Sequence, residues 1–407
     1  MNERLHPRVA IPSLERRLRV MPVAVVTGAR QTGKSTLVQQ LGSEQRRYVT
    51  LDDLDVRSAA RDDPALLVDG PQPITIDEVQ REPELLHAVK RAVDRQRRPG
   101  QFLLTGSANL LLMHRVSESL AGRASYLNLW PMSRRELHGL GPGGIWERLF
   151  ETRPSEWIDL LRSEPNEPED WRALARRGGF PVPALQLEND EDRAIWFDGY
   201  VRTYLERDLQ DLSNISALPE FRRLMRAACL RVGQLLNQSA LARDISLAQA
   251  TAFRYLNLLE TSFLFVRLPA YASNRTKRLV KTPKAYWSDT GLAMHLSQET
   301  EPRGEHLENM VLHDLLVWRD CGTTRAEIFY WRTSNNQEVD FVIEQAGRLL
   351  PIEVKSGATP RLRDARHLRV FLDEYQDISD AGLLLHDGDM PEWIAPNVLA
   401  APWWMLI

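Results

Sequence analysis

The stretch VAVVTGARQTGKST, residues 23–36, sets the fold of the first part of the chain. A short apolar run leads into the spacing G-x-x-x-x-G-K-[ST], filled by Gly28, Gly33, Lys34 and Ser35. Glycines let backbone N–H groups curl around a phosphate, and a helix that begins near Lys34 adds its positive end. The pattern predicts a strand, a loop and a helix, with the nucleotide phosphates bound by Gly28, Ala29, Arg30, Gln31, Thr32, Gly33, Lys34, Ser35 and Thr36.

Three more apolar runs follow within the first 130 residues, at 48–51, 74–76 and 102–105, and helical patterns such as 84–97 lie between them. Alternation of strands and helices is typical of a parallel sheet that is covered on both faces. The sequence therefore predicts an α/β domain of the P-loop type.

The run ITIDEVQ, residues 74–80, ends a predicted strand in two adjacent carboxylates. At such a position Asp77 would hold Mg²⁺ through water, together with the Ser35 hydroxyl, and Glu78 would polarise the attacking water. A strand followed by a helix-capping acid is the alternative. The pair of acids after a phosphate loop favours hydrolysis over simple nucleotide binding, and it predicts ATP and Mg²⁺ as cofactors.

Two further positions are candidates for the same reaction. TGSAN, residues 105–109, ends another strand, and either Thr105 or Ser107 could contact both the γ-phosphate and the water. Arg123 ends LAGR, and in ring-forming ATPases an arginine near this place reaches the phosphate of a neighbouring subunit. Either position could instead be an ordinary turn or surface residue. Asp52 and Asp53 are interpreted as a loop cap.

Composition and the length of the apolar runs limit the class of protein to which this chain can belong. The chain has 407 residues, 52 basic and 55 acidic side chains and two cysteines, which indicates two or three folded domains in a reducing compartment. Apolar runs are too short to span a membrane and the first residues lack a signal core, so a cytoplasmic protein is expected. Six residues are lysine, and three of them lie within residues 277–284.

Residues 233–268 have the order of a winged helix: a short helix that Ser239 could cap, a turn at Ser246, a helix over 248–260 and a strand over 263–268. The second helix would offer Gln249, Thr251 and Arg254 to a DNA groove. The same fold often serves only for packing, and both interpretations stay open.

A basic run follows immediately after this predicted winged helix. Clustered basic side chains next to a possible reader helix indicate contact with the phosphate backbone of nucleic acid, although such a run can also be a solvated surface. The candidate contacts are Arg275, Lys277, Arg278, Lys281 and Lys284.

Near the end of the chain, EVDFVIEQAGRLLPIEVKSG predicts two strands joined by a hairpin at 345–348. Alternation along the second strand sends Glu353 and Lys355 to one face, and the hairpin brings Asp340 beside them. Glu308, on a predicted helix, could supply a third carboxylate. Such a set could hold Mg²⁺ for phosphodiester cleavage, or it could be a salt-bridged pair of strands.

Taken together, these motifs resemble the bacterial and archaeal AAA+-type ATPases that carry a C-terminal DUF4143 domain. The resemblance covers nearly the whole chain and rests on blocks at 27–36, 74–80, 103–108, 119–123, 200–209, 231–245, 281–292, 338–344 and 351–357. It implies ATP–Mg²⁺ at the loop and Asp77, water activation at Glu78, sensing near Ser107 and a trans-acting role for Arg123. It also implies a restriction-endonuclease-like C-terminal domain in which Glu308, Asp340, Glu353 and Lys355 occupy the matching positions.

The expected organisation is an ATPase domain at 1–145, a helical lid at 146–212, a winged helix at 213–273 and a nuclease-like domain at 274–407. The leading hypothesis is an ATPase that forms a homo-oligomer, with six members expected, and remodels or translocates DNA. The alternatives are an ATP-regulated nuclease and a nucleotide-switched module that binds DNA or protein.

Overall fold

The protein is described by a computed structural model, which covers residues 6–41, 46–106, 120–203, 218–322 and 324–407. The first sheet is parallel throughout and has the strand order β2-β3-β4-β1-β5. Its strands are β1 (Val23–Thr27), β2 (Arg47–Thr50), β3 (Ile74–Asp77), β4 (Phe102–Thr105) and β5 (Ala124–Asn128). The predicted parallel sheet is confirmed, and β5 is an edge strand that the sequence patterns did not predict.

Helices cover both faces of this sheet. They are α1 (Ala10–Val20), α2 (Lys34–Gln40), α3 (Leu54–Asp62), α4 (Pro64–Val68) and α5 (Leu85–Arg95). Val23 and Val25 of β1 pack in one apolar cluster with α5, while Ala24 and Val26 pack in another with α1 and α2. Successive side chains of a strand point to opposite faces, so this one strand contributes to both cores.

The middle of the chain is mostly helical. Its first part contains α6 (Arg134–Leu137), α7 (Ile145–Glu151), α8 (Trp157–Arg162), α9 (Trp171–Arg177), α10 (Pro181–Leu185) and α11 (Asp190–Tyr200). Its second part contains α12 (Leu218–Cys229), α13 (Gln238–Asp244), α14 (Gln249–Thr261), β6 (Phe265–Leu268), α15 (Arg275–Val280) and β7 (Lys284–Trp287). β6 packs against α14 and forms an antiparallel pair with β7, so the predicted order of helix, turn, helix and strand is present, with the strand beginning at Phe265.

Two details of the predicted winged helix differ from expectation. The side chain of Asn237, not of Ser239, caps α13 by accepting a hydrogen bond from the backbone N–H of Ala240. β7 was expected to belong to the C-terminal domain, yet it pairs with β6 through Phe265 and Trp287. This pairing brings Lys284, at the start of β7, to the border between the middle region and the C-terminal sheet.

The last part of the chain begins with α16 (Thr290–Ser297) and the long α17 (Gly304–Cys321). A mixed sheet follows with the order β12-β13-β11-β10-β9-β8. Its elements are β8 (Ala326–Arg332), β9 (Glu338–Gln345), β10 (Arg348–Val354), α18 (Arg366–Glu374), β11 (Gly382–His386), β12 (Glu392–Ala395) and β13 (Val398–Pro402). The predicted hairpin is present, since β9 and β10 pair antiparallel and turn at Ala346 and Gly347.

One apolar cluster joins all three parts. It runs from Ala29 and Trp130 of the first part, through the middle helices, to Ile343 and Trp403 of the last. This cluster therefore connects the three described parts of the chain, and it is distinct from the two clusters that line the faces of the first sheet. Among the described helices, none combines the length and apolar character needed to cross a bilayer.

Candidate functional site

The loop between β1 and α2 has the backbone that its glycines predicted. Gly28 has a φ of 146°, and a Cβ at this position would lie 2.3 Å from the carbonyl oxygen of Leu129. Gly33 has a φ of 88°, in the region that disfavours side chains. Any other residue at Gly28 would collide with the backbone of the segment after β5, so the shape of the loop depends on glycine there.

Lys34 is the buried cation of this loop. Its side chain is 5% exposed, and its Nζ donates to the carbonyl oxygens of Gly28 at 3.2 Å and Ala29 at 2.7 Å. Burial lowers the pKa of Lys34 to about 8, although the carboxylate of Glu78 acts in the opposite direction. Neutral carbonyls offset little of the cost of burying an ammonium group. A bound phosphate would supply the missing negative charge.

Asp77 lies at the tip of β3 and is held from two neighbouring strands. Its Oδ1 accepts a hydrogen bond from the hydroxyl of Thr105, at the end of β4, and its Oδ2 accepts one from Tyr48 of β2 at 2.9 Å. Thr105 is thus the one of the two sensor candidates that the structure brings to the site. The other candidate, Ser107, lies outside the described residues.

Glu78 has an unusual backbone for a residue with a side chain, with a φ of 59° and a ψ of 42°. Its backbone N–H donates to the Thr105 hydroxyl oxygen at 3.0 Å, and its carboxylate accepts from the Gln80 amide. Burial raises the pKa of Glu78, while the nearby charge of Lys34 acts against this shift. Strained backbone at a site is a reason to suspect function, because the surrounding fold must maintain it.

Together these residues fit a magnesium nucleotide. The loop supplies a glycine cradle and a buried ammonium group whose hydrogen bonds, among the described residues, go to carbonyl oxygens. Asp77 and the Ser35 hydroxyl are hard oxygen ligands of the kind that Mg²⁺ prefers. Asp53 caps α3 as predicted, and Asp52 forms an ion pair with Arg81. Asp53 is thus used at a helix end, and the charge of Asp52 adds to the effects that raise the pKa of Glu78.

Several supporting residues were not identified from the sequence. Arg8 donates to the carbonyls of Thr32 at 2.7 Å and Trp130 at 2.8 Å, and it pairs with buried Glu136 at 3.0 Å. The Tyr200 hydroxyl contacts the Arg30 carbonyl at 3.4 Å. These contacts hold the phosphate loop in place through residues that lie 24 to 170 positions away from it in the sequence. No local pattern marks such residues.

Arg123 lies just before β5, at the amino end of the sheet, whereas the phosphate loop leaves the carboxyl end of β1. It is only partly buried, and its Nε donates to Asp94 at 2.5 Å. An arginine at the opposite end of the sheet cannot complete the site of its own chain. The role predicted for Arg123 therefore requires a second copy of the chain.

The structure brings together the four residues that the sequence predicted to cluster near the end of the chain, namely Glu308, Asp340, Glu353 and Lys355. Asp340 on β9 accepts a hydrogen bond from the Val354 N–H of β10 at 2.9 Å, and Lys355 pairs with Glu353 at 2.6 Å. Burial, reinforced by the charge of Asp340, raises the pKa of both Glu308 and Glu353. The hairpin thus has the geometry that strand alternation predicted.

Lys284 enters this cluster, which contradicts its predicted contact with DNA. It is 2% exposed, and its Nζ lies 3.0 Å from Glu308, 2.6 Å from Glu338 and 3.3 Å from Asp340. Burial acts to lower the pKa of Lys284, but neighbouring Tyr286 and the carboxylates outweigh it and raise the pKa. A lysine held in this way cannot reach a nucleic acid.

Arg278 is the second residue of the basic run for which the predicted DNA contact is wrong. Its guanidinium group is buried against the rings of Tyr271 and Phe329 and pairs with Glu344 at 2.5 Å. Arg275, Lys277 and Lys281 are exposed. The cationic surface is therefore smaller than the sequence suggested, because two of its five charges are used inside the protein.

The face of α14 remains accessible. Gln249 and Arg254 are exposed, Thr251 is half-buried and Phe253 is 48% exposed. Gln249 donates to Ser239 at 2.7 Å, and the guanidinium of Arg254 lies over the ring of Tyr255. The three predicted DNA contacts are thus all available at the surface, and their partner is still a prediction.

Three segments of the chain match known protein-family models. Residues 21–138 match the family described as an AAA domain, residues 168–303 match a domain of unknown function (DUF8612) and residues 303–406 match a domain of unknown function (DUF4143). The restriction-endonuclease-like character of the last domain stays a prediction.

Relatives extend over nearly the whole chain. Uncharacterized proteins of Mycobacterium tuberculosis and Mycobacterium bovis are each 32% identical over 404 residues, which is 97% of this chain and 83% of theirs. An uncharacterized protein of Haemophilus influenzae is 23% identical over 389 residues, 88% of this chain and 89% of its own.

Two solved structures are also similar. The Walker-type ATPase of Pyrococcus abyssi has a TM-score of 0.43 at 15% identity, covering 72% of this chain and 98% of that one. A signal transduction ATPase with numerous domains from Pyrococcus horikoshii, which carries a tetratricopeptide repeat sensor, has a TM-score of 0.26 at 14% identity, covering 78% and 48%. On the family matches and the mycobacterial relatives, the chain belongs to the same family as those relatives and joins an AAA-type ATPase domain to a DUF4143 domain.

Proposed function

We propose that the protein is a Mg²⁺-dependent ATPase that works as a homo-oligomer and acts on DNA. The observation that carries the ATPase part is that a buried Lys34, hydrogen-bonded to backbone carbonyls, lies near the acidic tip of β3, whose carboxylates act on its charge. An ammonium group in this state favours a polyphosphate ligand, and Asp77 beside it favours the accompanying metal.

The residues divide the work of hydrolysis in a simple way. When bound, ATP with Mg²⁺ supplies the phosphoryl group that is transferred to water. Lys34 neutralises phosphate charge, Ser35 and Asp77 would hold the metal, and Glu78 accepts a proton from the water. The raised pKa of Glu78 suits a proton acceptor at neutral pH. Thr105 keeps the two acids in register, since it contacts the Asp77 carboxylate and the Glu78 backbone.

Oligomerisation is proposed because Arg123 lies at the far end of the sheet from its own loop. A ring, with six members as the expected number, would place it at a neighbour's phosphate. To test this, Arg123→Ala and Lys34→Ala chains, each inactive alone, should recover part of the ATPase rate when mixed. If Arg123 acts in trans, a mixed oligomer contains some sites that combine an intact Lys34 from one chain with an intact Arg123 from the other. A mixture as inactive as its components would therefore contradict the proposed oligomer.

DNA is proposed as the partner on the exposed face of α14 and the exposed side chains of Arg275, Lys277 and Lys281. The ATPase rate should rise on addition of duplex or branched DNA. A rate that does not respond to any DNA form would remove the support for a DNA motor. It would favour the third hypothesis, a nucleotide-switched binding module, for which a Glu78→Gln chain should retain its partner in ATP.

The nuclease hypothesis has less support than the ATPase. It needs Asp340, Glu353 and Lys355 to act with a divalent cation, but the ammonium of Lys284 lies against Asp340 and Glu308. Cleavage that requires Mg²⁺ or Mn²⁺ and disappears in Asp340→Ala, while ATP hydrolysis survives, would restore it.

A further inference from the structure

The ATPase proposal leaves one buried polar centre unused. Glu308 of α17, Glu338 and Asp340 of β9 and Glu353 of β10 converge in the last part of the chain: the first three surround Lys284, and Glu353 lies close enough to feel the charges of Asp340 and Glu308. The cation among them comes from the middle region, because Lys284 begins β7 and β7 pairs with β6. The cluster therefore lies at the junction between two parts of the molecule.

The ammonium group of Lys284 is fully used. It has three N–H donors, and three carboxylates lie around it, at 2.6 Å for Glu338, 3.0 Å for Glu308 and 3.3 Å for Asp340. The Tyr286 hydroxyl, two residues along β7, donates to the same Glu308 oxygen. One strand of the middle region thus holds the carboxylates of α17 and β9 at two points.

This arrangement suits an ammonium ion and not a divalent metal. Oxygen ligands lie about 2.0–2.1 Å from Mg²⁺ and about 2.3–2.6 Å from Ca²⁺, closer than the oxygens that surround Nζ. Within the described ranges, no group of three or more His, Cys, Asp or Glu side chains is arranged to hold a metal ion. The lysine occupies the space into which those carboxylates would have to move.

Charge is nearly balanced as the cluster stands. Four carboxyl groups face three cations, since Lys355 pairs with Glu353 at 2.6 Å and Arg332 pairs with Glu338 at 3.1 Å in addition to Lys284. A divalent cation would have to share these acids with a buried ammonium group. Its binding would therefore leave the lysine with too little compensating charge.

One carboxylate oxygen differs from the others in its surroundings. Glu353 is 6% exposed, and its Oε1 is held by Lys355, but its Oε2 is buried with no hydrogen-bond partner among the described residues. A buried unpaired carboxylate oxygen is costly unless something binds it. Glu353 therefore has one carboxylate oxygen, unpaired among the described residues, with which to bind a cation once the ammonium group of Lys284 is removed.

We infer that Lys284 is a built-in counter-ion that closes a divalent-cation site formed by Glu308, Asp340 and Glu353. In this state the C-terminal domain binds no metal at the cluster and cleaves no DNA. The ion pairs instead fasten β7 to α17 and β9, and so join the middle region to the last domain.

The test uses the full-length, nucleotide-free chain and Mn²⁺, followed by calorimetry and by the electron paramagnetic resonance of the bound ion. Wild type should bind no Mn²⁺ at the cluster, so an Asp340→Asn change should not alter its titration. Lys284→Met should gain one site per chain, at least about tenfold tighter than any in wild type. Lys90→Met is the matched control, because Lys90 lies on α5 in the first domain.

Because Lys284→Met leaves buried carboxylates without a counter-ion, this variant can unfold. The second variant, Lys284→Met with Glu338→Gln, removes one acid together with the lysine and keeps the three proposed ligands. Mn²⁺ should then restore folding or raise the melting temperature of at least one variant. The inference is overturned if wild type binds Mn²⁺ in an Asp340-dependent way, or if neither variant gains a site, whether folded or not.

Discussion

Lys34 and Lys284 are both almost completely buried, and the fold treats them in opposite ways. Lys34 contacts two backbone carbonyls, and burial lowers its pKa to about 8. Lys284 contacts three carboxylates, which outweigh burial and raise its pKa. Burial is common to both residues, so it is the neighbours that set the direction of the pKa shift.

The contrast separates a binding site from a structural joint. Lys34 hydrogen-bonds to neutral carbonyls, and the charges of Glu78 and Asp77 offset only part of the cost of burying its ammonium group. A ligand that supplies further negative charge is therefore favoured there. A buried charge that its own chain neutralises has little left to offer a ligand. The nucleotide site is thus the open one, and the C-terminal cluster is the closed one.

The greatest change expected is the drop in stability when Lys284 is replaced by Met. Removal of one partner leaves buried carboxylates without compensation, and this should cost about 3–5 kcal/mol of unfolding free energy. Lys34→Met should lower the free energy of unfolding of the nucleotide-free chain far less, or should even raise it. Urea unfolding of both variants measures the difference, and equal decreases would refute the contrast between the two lysines.

For ATP hydrolysis the order of the two lysines is reversed, and the replacement of Lys34 should have the larger effect. Lys34→Met removes a charge that faces the transferred phosphoryl group, so kcat/KM for ATP should fall about 10²–10³-fold. Steady-state ATPase rates at saturating Mg²⁺ give the value. Arg19, on the exposed end of α1, provides a neutral comparison as Arg19→Met. Activity that survives the replacement of Lys34 would contradict the assignment of the loop.

The two lysines should also give opposite pH dependences of stability. The pKa of Lys34 is lower folded than unfolded, about 8 against 10.5, so the unfolded chain binds more protons between these values. The penalty is complete below pH 8, and stability recovers by up to about 3 kcal/mol as the pH rises to 10.5. Subtracting the pH profile of Lys34→Met from that of wild type isolates this rise.

For Lys284 the folded pKa is raised above its ordinary value of 10.5. Its contribution to stability is complete below that pH and declines as the pH increases beyond it. The stability of wild type minus that of the variant can be plotted against pH for Lys34→Met and for Lys284→Met/Glu338→Gln. Slopes of the same sign in the two plots would contradict the proposed environments of the two lysines.

A smaller effect is expected on the acidic side of the nucleotide site. Tyr48→Phe removes one of the two side-chain donors to Asp77 and should lower kcat roughly tenfold, which corresponds to about 1.4 kcal/mol. Because Thr105 still holds the other oxygen, ATP binding should persist. An unchanged kcat would mean that the tyrosine only fills space.

The weakest effect concerns the cationic surface. Lys277→Ala with Lys281→Ala should weaken DNA binding and reduce the salt slope of log K by about 1 for each phosphate that is no longer neutralised. The buried positions Arg278 and Lys284 should not contribute to this slope. Fluorescence anisotropy over a range of salt concentrations measures it, and an unchanged slope would show that these two lysines do not contact DNA.

Much of both sites could be predicted where the relevant residues are close in sequence. The spacing from Gly28 to Ser35 determines a local backbone, and strand alternation with a short hairpin brings Asp340 to Glu353 and Lys355. These relations span few residues and follow from strand and turn geometry alone. The contacts of Tyr48, Arg8 and Tyr200 could not be predicted in this way, since they depend on strand order and on packing between distant parts of the chain.

The order of the amino acids was enough to establish that a phosphate loop follows β1, that acids end β3, and that two acids and a lysine share a hairpin face. What Lys284 does follows only from the three-dimensional packing. In the sequence it belongs to a basic run, 24 residues before Glu308 and 56 before Asp340. Pairing of β7 with β6 turns it inward, and the negative charges that it meets there make burial favourable for an ammonium group that the local pattern would leave in water.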